Sequence, residues 1–293
     1  MPDLSEEFDD FEVFGSGDLV NGVVNFYEFF DKNHESMPWN DLEERGLIDS
    51  GRNVHSFAPL LPHVGNREGL FRKAESSNDV SSFLWLSAVK MLAMNMLVSH
   101  DGVGVFHREA INSQFLSELV KLSSDASFIR EMGDYLAGFG VLLVYLPHFK
   151  GSKVDGAVGV LPNGSPFIGM SLRYPRLDHY WFTLLHELAH IFRHYDQLVD
   201  PIIDDLDETP DGQIEIEANF IAQESIVARA IWNRSNLKRS SFISEVEVAE
   251  YAKNVSVHPA LIAGKIQRER DNYKILRSIV DEIDTRQVLG ING

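Results

Sequence analysis

The stretch Trp181–Tyr195, WFTLLHELAHIFRHY, decides how the rest of the chain is read. Trp181, Phe182, Leu184, Leu185, Leu188, Ala189, Ile191 and Phe192 make it apolar, and no Gly or Pro interrupts it, so it predicts a helix. Inside it, His186-Glu187-Leu188-Ala189-His190 forms an H-E-x-x-H pattern. Residues four apart lie one above the other on a helix, so His186 and His190 aim two imidazoles at one point. That geometry suits a tetrahedral zinc ion. Glu187 beside it suits a general base that takes a proton from a zinc-held water. The plainer alternative is a buried helix whose histidines make ordinary hydrogen bonds. Burying two imidazoles and a carboxylate in so apolar a helix is costly without a purpose, which favours the metal.

A zinc site needs a third protein ligand. His194 continues the four-residue spacing but lies about 12 Å along the axis from His186. Three histidines on one straight helix therefore cannot meet at one ion. The next helix is predicted from Thr209 to about Trp232, with Thr209 as N-cap and Pro210 as first helical residue. On it Glu215 and Asn219 share a face with Ala218 and Ala222, small residues that permit close approach to the first helix. Glu215 can reach the metal, and Asn219 can hydrogen-bond a ligand histidine. Glu217 points about 160° away round the helix and is the rival to Glu215. Geometry favours Glu215 without excluding Glu217.

At these residues the sequence resembles the ImmA/IrrE-type metallopeptidases of bacteria and their phages. The pattern of that family is H-E-x-x-H followed by E-x-x-A-N with a run of small residues. Here it is met by HELAH at 186–190 and by Glu215-Ile216-Glu217-Ala218-Asn219, then Phe220-Ile221-Ala222. The likeness covers roughly residues 130–280. It reaches upstream to Asp155-Gly156-Ala157 and Leu172-Arg173-Tyr174, and downstream to His258-Pro259 and Gly264-Lys265-Ile266-Gln267. It implies that Glu215 is the third ligand and that the cofactor is Zn2+. It also implies that the substrate is a regulatory protein, such as a transcriptional repressor, cut at one site. Relatives often carry an N-terminal helix-turn-helix, which is not found here. The DNA-binding function is then expected in a separate repressor or antitoxin partner, as in toxin–antitoxin and transcription-regulation pairs.

The whole chain is consistent with this. Its 293 residues are enough for two domains, expected at 1–125 (helical, a possible partner-binding region) and 126–293 (metallopeptidase). There is no cysteine, so disulfides, thiol catalysis and thiolate-held zinc are excluded. The net charge of −18 repels phosphate backbones, so no direct nucleic-acid binding is expected. The start, MPDLSEEFDDFEVF, is acidic and unlike a signal peptide. The apolar run Leu84–Val98 is read as too short to span a bilayer. A cytoplasmic protein with no membrane segment is expected.

Taken in order, residues 1–17 are expected to be loose. Helices are expected at Asp18–Asp31, Pro38–Arg45, Asp79–Ser99, Arg108–Leu122 and Asp125–Ala137, with a loop through 50–77. Phe139–Leu146 reads as a buried strand, and Val154–Leu161 with Pro166–Leu172 as a hairpin about Asn163-Gly164. The acidic segment Asp196–Asp211 reads as a connection. Helices follow at Ser244–Lys253, Pro259–Asn272 and Tyr273–Ile283, then a tail. The fold class is α+β, mostly helical, with a small three-stranded sheet packed on the H-E-x-x-H helix in a zincin-like manner. One edge strand is expected to lie open beside the metal, where an extended peptide can pair.

The expected function is a zinc metallopeptidase, a hydrolase acting as a site-specific endopeptidase. His194, Tyr195 and His258, with Arg173 and Tyr174, are the candidates for stabilising the transition state. The alternative is a protein-binding regulator or toxin–antitoxin component whose zinc site is structural or inactive.

Overall fold

A Val- and Leu-rich run, an Asn-Gly turn and a pair of Ile residues supply four short strands. The computed structural model of the chain describes residues 26–61, 77–99, 102–207 and 212–291. In it β1 (Leu142–Tyr145), β2 (Gly156–Val160), β3 (Pro166–Met170) and β4 (Ile202–Asp204) form one mixed sheet in the order β1-β3-β2-β4. The expected hairpin is present: β2 and β3 are antiparallel, with Val160 opposite Pro166. Gly164 takes φ +84° in the turn, and the Asn163 side chain accepts from the Ser165 amide at 3.1 Å. β1 runs parallel to β3.

The sheet has four strands rather than the three expected. β4 comes from the acidic segment read as a connection, and it pairs antiparallel with β2, with Gly156 opposite Asp204. β4 thus covers the outer edge of β2 and is itself an edge strand, as β1 is. The pattern signal was weak because Ile202-Ile203 is too short an apolar run to register as a strand.

Among the helices, α1 is Trp39–Glu44, α2 Ser77–Ser99, α3 Ser113–Leu119, α4 Met132–Ala137, α5 Leu177–His194, α6 Gln213–Ile226, α7 Glu245–Val255 and α8 Pro259–Glu269. Together with the small sheet they make a mostly helical α+β fold. α5 is the centre: Leu184, Leu185, Leu188 and Ile191 are fully buried, each contributing about 1.5–3 kcal/mol of apolar burial. It packs on β2 and β3 on one side and on α6 and α8 on others. Ala218 and Ala222 of α6 are fully buried, as small residues at a close helix contact should be. α7 opens with a capping box in which Ser244 and Glu247 satisfy each other's backbone amides.

The described residues form two compact units. One ends at Ala88 and includes Phe149–Ser152; the other contains Val89–His148 and everything from Lys153 on. In the first unit, residues 26–33 are helical. Phe26, Phe29 and Phe30 are buried, Phe26 lying 5.3 Å from Phe57 between ring centroids. These rings are core, while Tyr27 is 40 % exposed. Residues 1–25, including the start of the helix expected there, lie outside the described residues.

α2 is longer than the apolar run in it suggested. Val80–Ser99 is long and apolar enough to cross a membrane, but 61 % of it is buried in the protein as a core helix. The two helices expected over 108–137 are broken into α3, α4 and 3-10 turns. Asn112 caps a new start by accepting from the Gln114 amide, while Asp125 caps the expected start by accepting from the Ser127 amide but opens a 3-10 turn. α6 starts at Gln213 after Gly212 and stops at Ile226, where Val227 turns extended, so the helix to Trp232 is interrupted. The expected cap Thr209 and Pro210 lie outside the described residues. Past Asn272 only Arg277–Val280 and Thr285–Leu289 are helical. The expected tail is held down, since Thr285 is buried and donates its amide to Pro175.

Candidate metal centre

The i, i+4 spacing on α5 brings His186 and His190 together with their Nε2 atoms 3.0 Å apart. Both residues are fully buried. Glu215, in the first turn of α6, sends Oε2 to 3.2 Å from His186 Nε2 and 3.5 Å from His190 Nε2. Asp204, the last residue of β4, places Oδ2 at 3.5 and 4.0 Å from the same two nitrogens. The four donor atoms all lie within 4.8 Å of one another.

Zinc–nitrogen bonds of about 2.0–2.1 Å set donor–donor separations near 3.3 Å in a tetrahedron, close to these distances. The chemistry of the set also fits a dication. Two imidazole nitrogens and two carboxylate oxygens face one point, and Asp204 Oδ2 is buried with no hydrogen-bond partner among the described residues. Burial by itself lowers the His186 pKa. The close carboxylates of Asp204 and Glu215 overcome that and raise it to about 9, so the cluster attracts positive charge. Burial likewise pushes Glu215 up, but its contacts with His186 and His190 outweigh this and hold it well below the usual carboxylate range.

Glu187 is fully buried next to this cluster, and neither carboxylate oxygen has a hydrogen-bond partner among the described residues. Burial first, and then the negative charge of Asp204 and Glu215, raises its pKa well above normal. A bound dication reverses that balance. Its carboxylate lies on β2 at Gly156, where a Cβ would sit 2.1 Å from Oε1. Gly156 is thus the cradle of the candidate base.

Other expected residues are placed differently. His194 Nδ1 lies 3.2 Å from His190 Nδ1, and its Nε2 lies 3.3 Å from Glu217 Oε2. Glu217 in turn accepts from Arg193 at 2.8 Å. His194 and Glu217 therefore stand behind His190 and orient its ring. Tyr195 donates its hydroxyl to the Gly164 carbonyl at 2.5 Å, and its ring stacks on Phe106. His258 caps α8 by accepting from the Ala260 amide at 3.1 Å. Asn219 lies one turn beyond Glu215 but bonds to neither ligand histidine: His186 Nδ1 has no hydrogen-bond partner among the described residues, and His190 Nδ1 meets His194.

Arg173 and Tyr174 grip the segment just after β4. Arg173 donates to Asp205 at 3.1 Å and to Asp207 at 2.8 Å, and the Tyr174 hydroxyl donates to Asp207 at 2.6 Å. Asp155 joins them, accepting from the Leu206 amide at 2.9 Å. Its burial pushes its pKa up to about 6 despite that bond and the Arg173 charge. A cleft of about 450 Å³ opens beside the first half of α5, lined by Tyr174, His179, Phe182, Asp207, Lys265 and Arg268 among others. The Arg268 guanidinium sits over the Phe182 ring at 4.1 Å, one turn before His186.

Asp204 is the member of the cluster that sequence reasoning missed. It is one of seven acidic residues in the 196–211 segment, with nothing in the pattern to set it apart.

Residues 139–256 match the family model described as the IrrE N-terminal-like domain, a peptidase family. The matched segment contains the whole sheet, α5, α6 and all four donors. No curated protein and no solved structure matches the chain.

Proposed function

We propose, on the premise that residues 139–256 belong to the IrrE N-terminal-like peptidase family, that the chain is a zinc-dependent endopeptidase that cuts a regulatory protein at a restricted site. The observation that carries this is the convergence of His186, His190 and Glu215 with Glu187 buried beside them. When bound, zinc supplies Lewis-acid polarisation of a peptide carbonyl and lowers the pKa of a coordinated water to about 7. His186, His190 and Glu215 hold the ion, and His194 with Glu217 fixes the His190 ring. Glu187 takes the proton of the attacking water on a carboxylate oxygen and passes it to the leaving amine. The apolar casing of α5 keeps other water out.

The substrate class follows from the resemblance to ImmA/IrrE-type peptidases, which implies a DNA-binding repressor. The acidic chain suits a basic partner of that kind. The test is incubation of candidate repressors with the wild-type chain and with Glu187→Gln, followed by mass spectrometry. Two fragments with the wild type alone support the proposal. Stable binding by both proteins without fragments replaces it with the second function, a protein-binding regulator or toxin–antitoxin component. Asp204 favours that second function, because four protein donors are the mark of a structural zinc site.

A further inference from the structure

We propose that Asp204 is a fourth protein ligand of the metal, and that β4 carries it into the position a catalytic site leaves for water. The inference rests on the metallopeptidase function above, since it concerns the same ion. Asp204 is 6 % exposed, and its Oδ2 faces both ligand nitrogens at distances within 0.5 Å of those of Glu215 Oε2 (3.5 against 3.2 Å for His186, 4.0 against 3.5 Å for His190). That oxygen has no hydrogen-bond donor among the described residues. A buried carboxylate oxygen without a hydrogen bond, next to a second carboxylate, is unfavourable unless positive charge lies against both.

Strand pairing fixes the carboxylate in place. The Asp155 amide donates to the Asp204 carbonyl at 2.8 Å, and Gly156 stands opposite Asp204 in the β2–β4 register. Glu187 rests on that same Gly156, so Asp204 and the candidate base meet at one level of the sheet. Next along the chain, Asp205 and Asp207 are latched by Arg173, and Leu206 by Asp155. β4 also covers the edge of β2, so an extended peptide can pair with β2 only after β4 has left. The two consequences coincide. Seated, β4 both completes a four-donor set of two nitrogens and two oxygens and blocks the substrate edge. Leaving, it frees both. With β4 seated, an ion held by all four donors would be closed to water and to substrate.

The test uses the full-length protein loaded with zinc or with cobalt(II), as wild type, Asp204→Ala, Asp204→Asn and Glu215→Ala. Zinc affinity is read by chelator competition, and access to the ion by the visible spectrum of the cobalt form during titration with acetohydroxamate. The expected result is one metal per chain in both Asp204 variants, with affinity at least about tenfold weaker than wild type. Acetohydroxamate should shift the cobalt spectrum of those variants at least about tenfold below the concentration the wild type needs. Equal affinity and equal response in wild type and both variants overturn the proposal. Asp204→Asn preserves the shape of the side chain, so the test stands if Asp204→Ala does not fold. Metal binding weakened by Glu215→Ala but untouched at Asp204 sinks this inference alone. A wild type that takes up neither metal sinks the metallopeptidase function and this inference with it.

Discussion

Gly156→Ala tests whether β2 holds Glu187 where it must act. The added Cβ would lie 2.1 Å from Glu187 Oε1, 2.9 Å from its Cδ and 2.9 Å from Thr183 Cγ2. Gly156 has no positive φ, so the backbone itself accepts alanine and the effect is one of space. The first contact falls more than 1 Å short of ordinary van der Waals distance. Glu187 is buried on every side and cannot simply rotate into solvent, so either its carboxylate or the strand must shift. Overpacking of this kind costs about 1–3 kcal/mol. At about 2–4 °C per kcal/mol for a domain of this size, Tm should fall by roughly 2–12 °C. A displacement of about 1 Å at the reacting centre costs on the order of 100-fold in rate. His186, His190 and Glu215 come from α5 and α6 rather than from β2, so one metal per chain is still expected. The assays are a thermal melt, native mass spectrometry for metal, and kcat on a cleaved substrate. A Gly156→Ala protein with wild-type Tm and turnover would refute the placement of Glu187 on β2.

Other outcomes follow from the same geometry. Glu187→Gln should keep its metal and lose about 10²–10⁴-fold in kcat, and retained full turnover would remove Glu187 from the chemistry. Gly264→Ala on α8 would bring a Cβ to 2.1 Å from Asp178 Oδ2 and 2.8 Å from its Cβ. Because Arg176 holds that carboxylate at 2.8 Å, a loss of about 1–3 kcal/mol in chemical denaturation is expected, and no loss would show that Asp178 yields freely. Asp155, with a folded pKa of about 6, keeps a proton at pH values where the unfolded chain, with a pKa near 3.9, has lost it. Stability of the chelator-treated protein should therefore fall by up to about 3 kcal/mol as pH rises from about 4 to about 6. Asp155→Asn should flatten that fall, and identical pH slopes for the two proteins would contradict the burial effect.

The parts of this protein that sequence showed most clearly are those set by local periodicity. The four-residue spacing of His186 and His190 within an apolar helix predicts two imidazoles on one face, and their Nε2 atoms lie 3.0 Å apart. Asn163-Gly164 between two apolar runs specified the hairpin, because an Asn-Gly turn requires backbone that few other residues accept. The placement of Glu215 rather than Glu217 beside the histidines was only half legible. Helical geometry put them on opposite faces but could not say which face meets α5. The helix expected over 108–122 is interrupted where Asn112 bonds to nearby amides, a local competition that apolar spacing does not record. Asp204 was illegible for a different reason. Its role depends on the β2–β4 register, and a three-residue strand in an acidic stretch leaves no periodic trace. His194 likewise showed its spacing but not its job, because its partner Glu217 comes from another helix.

The central claim is that His186, His190 and Glu215 bind a catalytic metal, and metal content tests it most directly. Native mass spectrometry of the purified chain beside Glu215→Ala should show one zinc per wild-type chain and a lost or strongly weakened ion in the variant. A wild-type chain that carries no metal and takes up none when zinc is supplied would contradict the account at its foundation.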